Sequence, residues 1–233
     1  TLPVFSLSDV AFSVKDRDIL NGVTFDILKG SRAVLLGENG CGKTTLLRLI
    51  SRLEKPTRGV ILQNIDNKFG QKSKQSKKWY KKVGVVYQNP DYQLFMPTVE
   101  KEIKFGAKSD EYADEIAEKF GVKHLYSRHP QSLSEGQKRR VSIAAVVATD
   151  PEVLILDEPT VGQDYKGLCE MVEVLNKLHE ETHNTMITVT HDKRCATALC
   201  DRSIWIKDGK TYKTGGKMLV NEFFETQSGV LKN

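Results

Sequence analysis

Ala33-Val34-Leu35-Leu36 followed by Gly37-Glu38-Asn39-Gly40-Cys41-Gly42-Lys43-Thr44 is the stretch that decides how this sequence is read. The apolar run reads as a buried strand stopped by Gly37, and Lys43 to Leu53 has the spacing of a helix. Between them the residues fit G-x-x-x-x-G-K-[ST] at every fixed position. Glycines let successive backbone N–H groups wrap a phosphate with no side chain intervening. The helix start adds unpaired donors and the positive end of its dipole. Lys43 can reach the outer phosphates, and the Thr44 hydroxyl can ligate Mg²⁺. A bound nucleoside triphosphate is the expectation.

Outward from this loop, strand and helix signals alternate. Val153-Leu154-Ile155-Leu156 reads as a strand ending at Asp157, and Leu168, Met171, Leu175 and Leu178 keep helix spacing. Met186-Ile187-Thr188-Val189 returns as a strand, which implies a parallel sheet with helices on both faces. Val4 to Val14, Val23 to Ile27 and Gly59 to Leu62 instead alternate like antiparallel strands with one wet face. Between Gln88 and Leu133 the strand signal stops, and Ala113, Ile116, Ala117 and Phe120 predict a helix in a separate helical lobe. Phe223 and Phe224 lie in a segment too short for a second domain.

Composition narrows the function classes. Apolar residues make up 39% of the 233, enough for a buried core. The 35 basic against 30 acidic residues leave +5, too small an excess to indicate nucleic-acid binding. Cys41, Cys169, Cys195 and Cys200 form no CxxC pair and no zinc spacing, and read as small buried hydrophobes in a reducing compartment. The opening TLPVFSLSDV lacks signal-peptide features, and no window approaches a membrane-spanning apolar run. Residues 68–82, KFGQKSKQSKKWYKK, hold seven lysines and no acid. They read as a solvated loop, with contact to anionic lipid or nucleic acid as the functional alternative. Trp79 and Tyr80 mark where packed structure resumes.

Asp157-Glu158 end an apolar strand, where an open α/β sheet binds ligands. Asp157 can hold a Mg²⁺ shell through water, and Glu158 can polarise the attacking water as general base.

In this order the motifs resemble those of the ATP-binding-cassette (ABC) ATPases, the motor subunits of ABC transporters. Gln88 in Val85-Val86-Tyr87-Gln88 is similar to the glutamine loop. Leu133-Ser134-Glu135-Gly136-Gln137 is similar to the signature LSGGQ, with Glu135 replacing a glycine. Asp157-Glu158-Pro159-Thr160 resembles the second nucleotide motif, and His191 in Thr188-Val189-Thr190-His191-Asp192 the switch histidine. The resemblance implies an α/β P-loop NTPase fold with a mixed β core whose parallel sheet is flanked by helices, an antiparallel β subdomain and an inserted α-helical lobe. It implies one domain over 1–233, with 1–88 and 142–233 as nucleotide-binding core and 89–141 as signature lobe.

The implied roles make ATP and Mg²⁺ the cofactors. ATP contacts run along Gly37, Glu38, Asn39, Gly40, Cys41, Gly42, Lys43, Thr44 and Thr45. Glu158, His191 and Gln88 serve catalysis, and Thr44, Gln88 and Asp157 serve the metal, Asp157 through water. Ser134, Gly136, Gln137 and Asp164 act in trans on ATP held by a second ABC ATPase subunit, identical or paralogous. Two departures stand out. Val14 occupies the position of the family's adenine-stacking aromatic, while Phe12 is expected to face the core and Arg17 is left as a candidate over the base. Gln163 replaces a common Leu, hinting at an asymmetric pair.

Gln88-Asn89-Pro90-Asp91-Tyr92-Gln93-Leu94-Phe95, then Thr98-Val99, Glu102-Ile103 and Phe105-Gly106, resemble the ATPases of energy-coupling-factor transporters and related cobalt or nickel importers. That implies uptake of a vitamin or transition metal, a transmembrane coupling subunit, a substrate-binding membrane subunit, and residence on the cytoplasmic face of the membrane. Leu94 and Phe95 would anchor the coupling helix. No nucleic-acid partner is expected. The rival readings are a soluble ABC ATPase acting on nucleic acid or a protein assembly, and a nucleotide-binding scaffold without turnover.

Overall fold

A computed structural model describes residues 2–15, 17–65 and 79–229. Residues 68–78 of the lysine-rich segment lie outside the described residues. The chain forms two compact units, one of Thr1–Ser76 with Thr185–Asn233, the other of Lys77–Asn184. The helical lobe expected at 89–141 falls inside the second unit.

The first unit opens with β1 (Pro3–Val14), β2 (Arg17–Leu28), β3 (Arg32–Leu36), α1 (Lys43–Ile50) and β4 (Arg58–Gln63). β2, β1 and β4 make a three-stranded antiparallel sheet in that order, as the alternating pattern predicts. The alternation slips at Asp9, whose φ of 48° sits at a register shift in both pairings. α1 ends three residues before the expected Leu53, because Arg52 takes a φ of 59° and Leu53 N–H turns back to Arg48 O.

The second unit holds α2 (Trp79–Lys82), β5 (Val83–Val86), α3 (Val99–Lys104), α4 (Asp110–Lys119), α5 (Glu135–Val147), β6 (Val153–Asp157) and α6 (Tyr165–Thr182). β5 and β6 pair in parallel, and β6 is buried along its whole length, as a continuous apolar run requires. At the start of α2 Trp79 is buried, while Tyr80 stays exposed.

The chain then returns to the first unit with β7 (Thr185–Val189), α7 (Lys193–Ala198), β8 (Arg202–Lys207), β9 (Lys210–Gly215) and α8 (Lys217–Gln227). β7 and β8 flank β3 in parallel, and β9 closes the edge antiparallel to β8. α7 and α8 cover one face of β3 and β8, burying Val34, Leu36, Ala196, Trp205, Val220 and Phe223 together. Phe223 and Phe224 thus belong to a packing helix. β9 has no counterpart among the sequence expectations, since KTYKTG is polar on both faces.

Two expectations need correction. Cys195 and Cys200 are buried, but Cys41 is half-buried and Cys169 exposed on α6, so cysteine burial holds for only half of them. Phe12 is also only half-buried rather than a core residue, because it sits near the open end of the β1–β2 ribbon.

Candidate nucleotide site

The loop after β3 is held in shape by its own lysine. Lys43 is buried, and its Nζ donates to Gly37 O at 2.6 Å and to Glu38 O at 2.8 Å. The ammonium therefore lies inside the turn that carries the backbone donors. Gly42 stands as N-cap of α1 with φ 102° and no side-chain cap, so α1 starts with its first donors not claimed by a capping side chain. A Cβ on Gly42 would lie 2.5 Å from Leu20, and one on Gly37 would lie 2.6 Å from Ile206 O. Glycine is needed at both positions because neighbouring strands approach the loop closely. Thr44 is exposed and Thr45 half-buried at the start of α1. Burial raises the Cys41 thiol pKa against the opposing pull of Lys43.

Beside the loop lies a cleft of about 360 Å³ lined by Arg17, Asp18, Ile19, Asn21, residues 38–41 and 205–209. Arg17 reaches this cleft; Val14, 48% exposed, is not among its walls. His191 follows β7 in the same unit and is exposed. The next residue, Asp192, caps α7, and the Arg194 guanidinium beside it holds its carboxyl below the usual range.

In the second unit, Asp157 and Glu158 are both buried, at the end of β6. Glu158 has a φ of 55°, a left-handed conformation that costs a non-glycine residue on the order of 1 kcal/mol or more. Such strain marks a position that the surrounding structure fixes. Gln88 is exposed beyond β5. Its backbone is held by Arg139, whose guanidinium donates to Tyr87 O at 2.6 Å and to Gln88 O. Arg139 is 2% exposed, and burial lowers its pKa even though Asp157 and Glu158 favour its charge. The sequence reading missed Arg139. One signal existed: a charged residue sits among the apolar positions of the helix after the signature segment.

Ser134 and Gln137 form a capping box at the start of α5, with Gln137 N–H donating to Ser134 Oγ and Ser134 N–H to Gln137 Oε1. Asp164 caps α6 through Gly167 N–H at 2.7 Å and remains exposed. Gln163 turns its amide toward its own chain, donating to Gly136 O at 2.8 Å.

One expectation near Gln88 is overturned. Leu94 is 4% exposed and belongs to the core, because the turn at Pro90–Tyr92 aims it inward, whereas Phe95 is 68% exposed. Phe95 stacks edge-on against the exposed Phe105 at 5.5 Å, beside a cavity of about 200 Å³ lined by Val85, Gln93, Leu94 and Glu102. Glu102 is also buried, and its Oε2 accepts from Phe95 N–H at 2.9 Å and Met96 N–H at 2.7 Å. Burial raises its pKa against those two bonds.

A model of the ABC transporter family matches residues 20–161, a span that takes in the phosphate loop, Gln88, residues 133–137 and Asp157–Glu158. The chain belongs to the ABC transporter family. It is an ABC ATPase with the P-loop fold of that family, as the motif order implies. The energy-coupling factor transporter ATP-binding protein EcfA2 of Enterococcus faecalis is 41% identical over 228 residues, covering 91% of this chain and 76% of that protein. EcfA2 of Bacillus subtilis is 40% identical, covering 86% of this chain and 76% of that one. Among solved structures, cbiO1 of Clostridium perfringens, part of the ABC transporter complex cbiONQ, superposes with a TM-score of 0.83 at 32% identity, over 98% of this chain and 94% of that one. The ATP-binding cassette MJ0796, a dimer in a post-hydrolysis state with ADP and Pi, superposes with a TM-score of 0.78 at 28% identity, over 91% and 98% of the two chains.

Proposed function

We propose that this ABC ATPase is the motor subunit of an energy-coupling-factor importer, hydrolysing ATP to drive uptake of a vitamin or transition metal. The carrying observation is the preformed phosphate loop, an uncapped helix start around the Lys43 ammonium, in a chain 41% identical to an energy-coupling factor transporter ATP-binding protein. The loop from Gly37 to Thr45 binds the triphosphate. Mg²⁺ is a hard cation that would arrive with the phosphates, whose oxygens supply part of its shell. The Thr44 hydroxyl in the first unit, and Gln88 and Asp157 (through water) in the second, are oxygen donors of the kind Mg²⁺ takes. Bound there, Mg²⁺ would neutralise charge on the phosphate oxygens.

Glu158 acts as general base toward the attacking water, and His191 orients that water or the outer phosphate. Ser134, Gly136, Gln137 and Asp164 meet ATP held by a second ABC ATPase subunit, so that turnover follows head-to-tail pairing. No helix among the described residues is long and apolar enough to cross a membrane. A separate transmembrane coupling subunit and a substrate-binding membrane subunit would carry the cargo, with this chain at the cytoplasmic face. Exposed Tyr92, Phe95 and Phe105 are the apolar surface that supports docking of the coupling subunit.

Glu158→Gln tests the motor reading. The variant is expected to bind ATP, accumulate as a nucleotide-dependent dimer and lose turnover by orders of magnitude. Near-normal phosphate release would remove Glu158 as the base. Phe95→Asp tests docking separately: expected is loss of copurification with the membrane subunits while the isolated chain keeps its ATP affinity.

A further inference from the structure

The turn that begins α5 and the turn that precedes α6 are locked together by one amide. Gln163 Nε2 donates to Gly136 O at 2.8 Å, and its Oε1 accepts from Arg140 Nε at 3.1 Å. That orientation satisfies both ends of the amide at once. Arg140 carries the chain of bonds onward to α6, donating to Gly167 O at 3.2 Å and Glu170 Oε2 at 2.8 Å.

The backbone around the amide is shaped to admit it. A Cβ on Gly167 would lie 2.7 Å from Gln163 Oε1. A Cβ on Gly136 would lie 2.7 Å from Gly162 O and 3.0 Å from Gln163 Nε2. Two glycines on different helices thus leave room for one side chain. Leu, the common residue of the family at this position, could form neither bond.

We propose that Gln163 is a positioning residue that joins residues 134–137 to residues 160–164, so that both segments meet the partner subunit's nucleotide as one body. This rests on the reading that Ser134, Gly136, Gln137 and Asp164 act on ATP held by a second subunit. Two independently moving turns would each have to be ordered when the subunits close on nucleotide. A lock formed at folding removes that ordering cost from the closing step. Its signature is a low ATP requirement for closure, with the chemistry at saturation unaffected.

The test measures ATP dependence of turnover in the assembled transporter for Gln163→Leu and Gln163→Glu, with thermal midpoints in parallel. A net hydrogen bond is worth roughly a three- to tenfold change in an equilibrium. Gln163→Leu is therefore expected to raise the half-saturating ATP concentration by about that factor, with turnover at saturating ATP held. Gln163→Glu keeps an acceptor for Arg140 but sets a carboxylate oxygen against Gly136 O, so its shift should be at least as large. An unchanged ATP dependence in Gln163→Leu, even with a lowered thermal midpoint, overturns the proposal. So does a Gln163→Glu protein that behaves as wild type, since the bond to Gly136 would then be idle. Glu158→Gln separates loss of the lock from loss of the in-trans contact. If that chain forms no ATP-dependent dimer, the in-trans reading falls and this inference with it. If it forms one at the same ATP concentration with and without Gln163→Leu, only the lock is wrong.

Discussion

α1 and α5 both start at turns expected to meet phosphate, yet α1 starts at Gly42 without a side-chain cap, whereas α5 starts at Ser134 under a complete capping box. An uncapped start has donors ready for a ligand, at a cost in helix stability that Lys43 offsets by bridging the loop's carbonyls. At the capped start the box occupies the N–H groups of Ser134 and Gln137, which stabilises the first turn. The contrast suits a division of labour in which the chain binds its own nucleotide through the first turn and a partner's through the second. The glycines differ in the same way. Gly42 is held at a φ of 102°, while Gly136 is crowded by the carbonyl of Gly162. One glycine shapes a binding loop; the other lets two turns touch.

The contrast can be broken at its strong end first. Lys43→Ala removes charge-assisted bonds, and nucleotide affinity of the isolated chain should fall by about a hundredfold. Equilibrium titration with a fluorescent ATP analogue reads this, and an unchanged affinity removes the loop from the site. Gly136→Ala comes next. Forcing a Cβ against Gly162 O should cut turnover of the assembled transporter by about tenfold. The same variant should leave nucleotide affinity of the isolated chain alone; a joint loss would mean the two turns do not divide the work.

Ser134→Ala removes half of the capping box, worth about 1 kcal/mol, and should lower the thermal midpoint by about 2–4 °C. A midpoint unmoved in calorimetry would show that α5 does not depend on its cap. The smallest effect is expected for Arg17→Ala, which strips a cation from the cleft beside the loop and should weaken ATP binding by about two- to fivefold. If Val14→Ala weakens it more, the base lies against β1 instead.

The loop between β3 and α1 was legible because its geometry is local: strand, turn and helix start follow one another within a short stretch. The buried strands β6 and β7 were legible for a related reason: Val153–Leu156 is a continuous apolar run, and only Thr188 interrupts Met186–Val189. Leu94 and Phe95 were not separable in sequence. Both are large and apolar, and only the turn at Pro90–Tyr92 decides that the first points inward and the second outward. The capping box at Ser134 and Gln137 fits a pattern of fixed spacing, yet the signature reading took both residues for ligand groups and passed over their bond to each other.

The sequence by itself determined the strand, glycine turn and helix start of residues 32–50, the order of motifs and the antiparallel and parallel parts of the fold, because periodicity and short motifs are written along the chain. The tertiary structure alone decided that Arg139 would hold the carbonyls of Tyr87 and Gln88, and that Gln163 would hold that of Gly136. A polar side chain carries no record of its partner. Where the bond closes across a long stretch of chain, the folded backbone supplies the acceptor, and only packing brings that acceptor within reach.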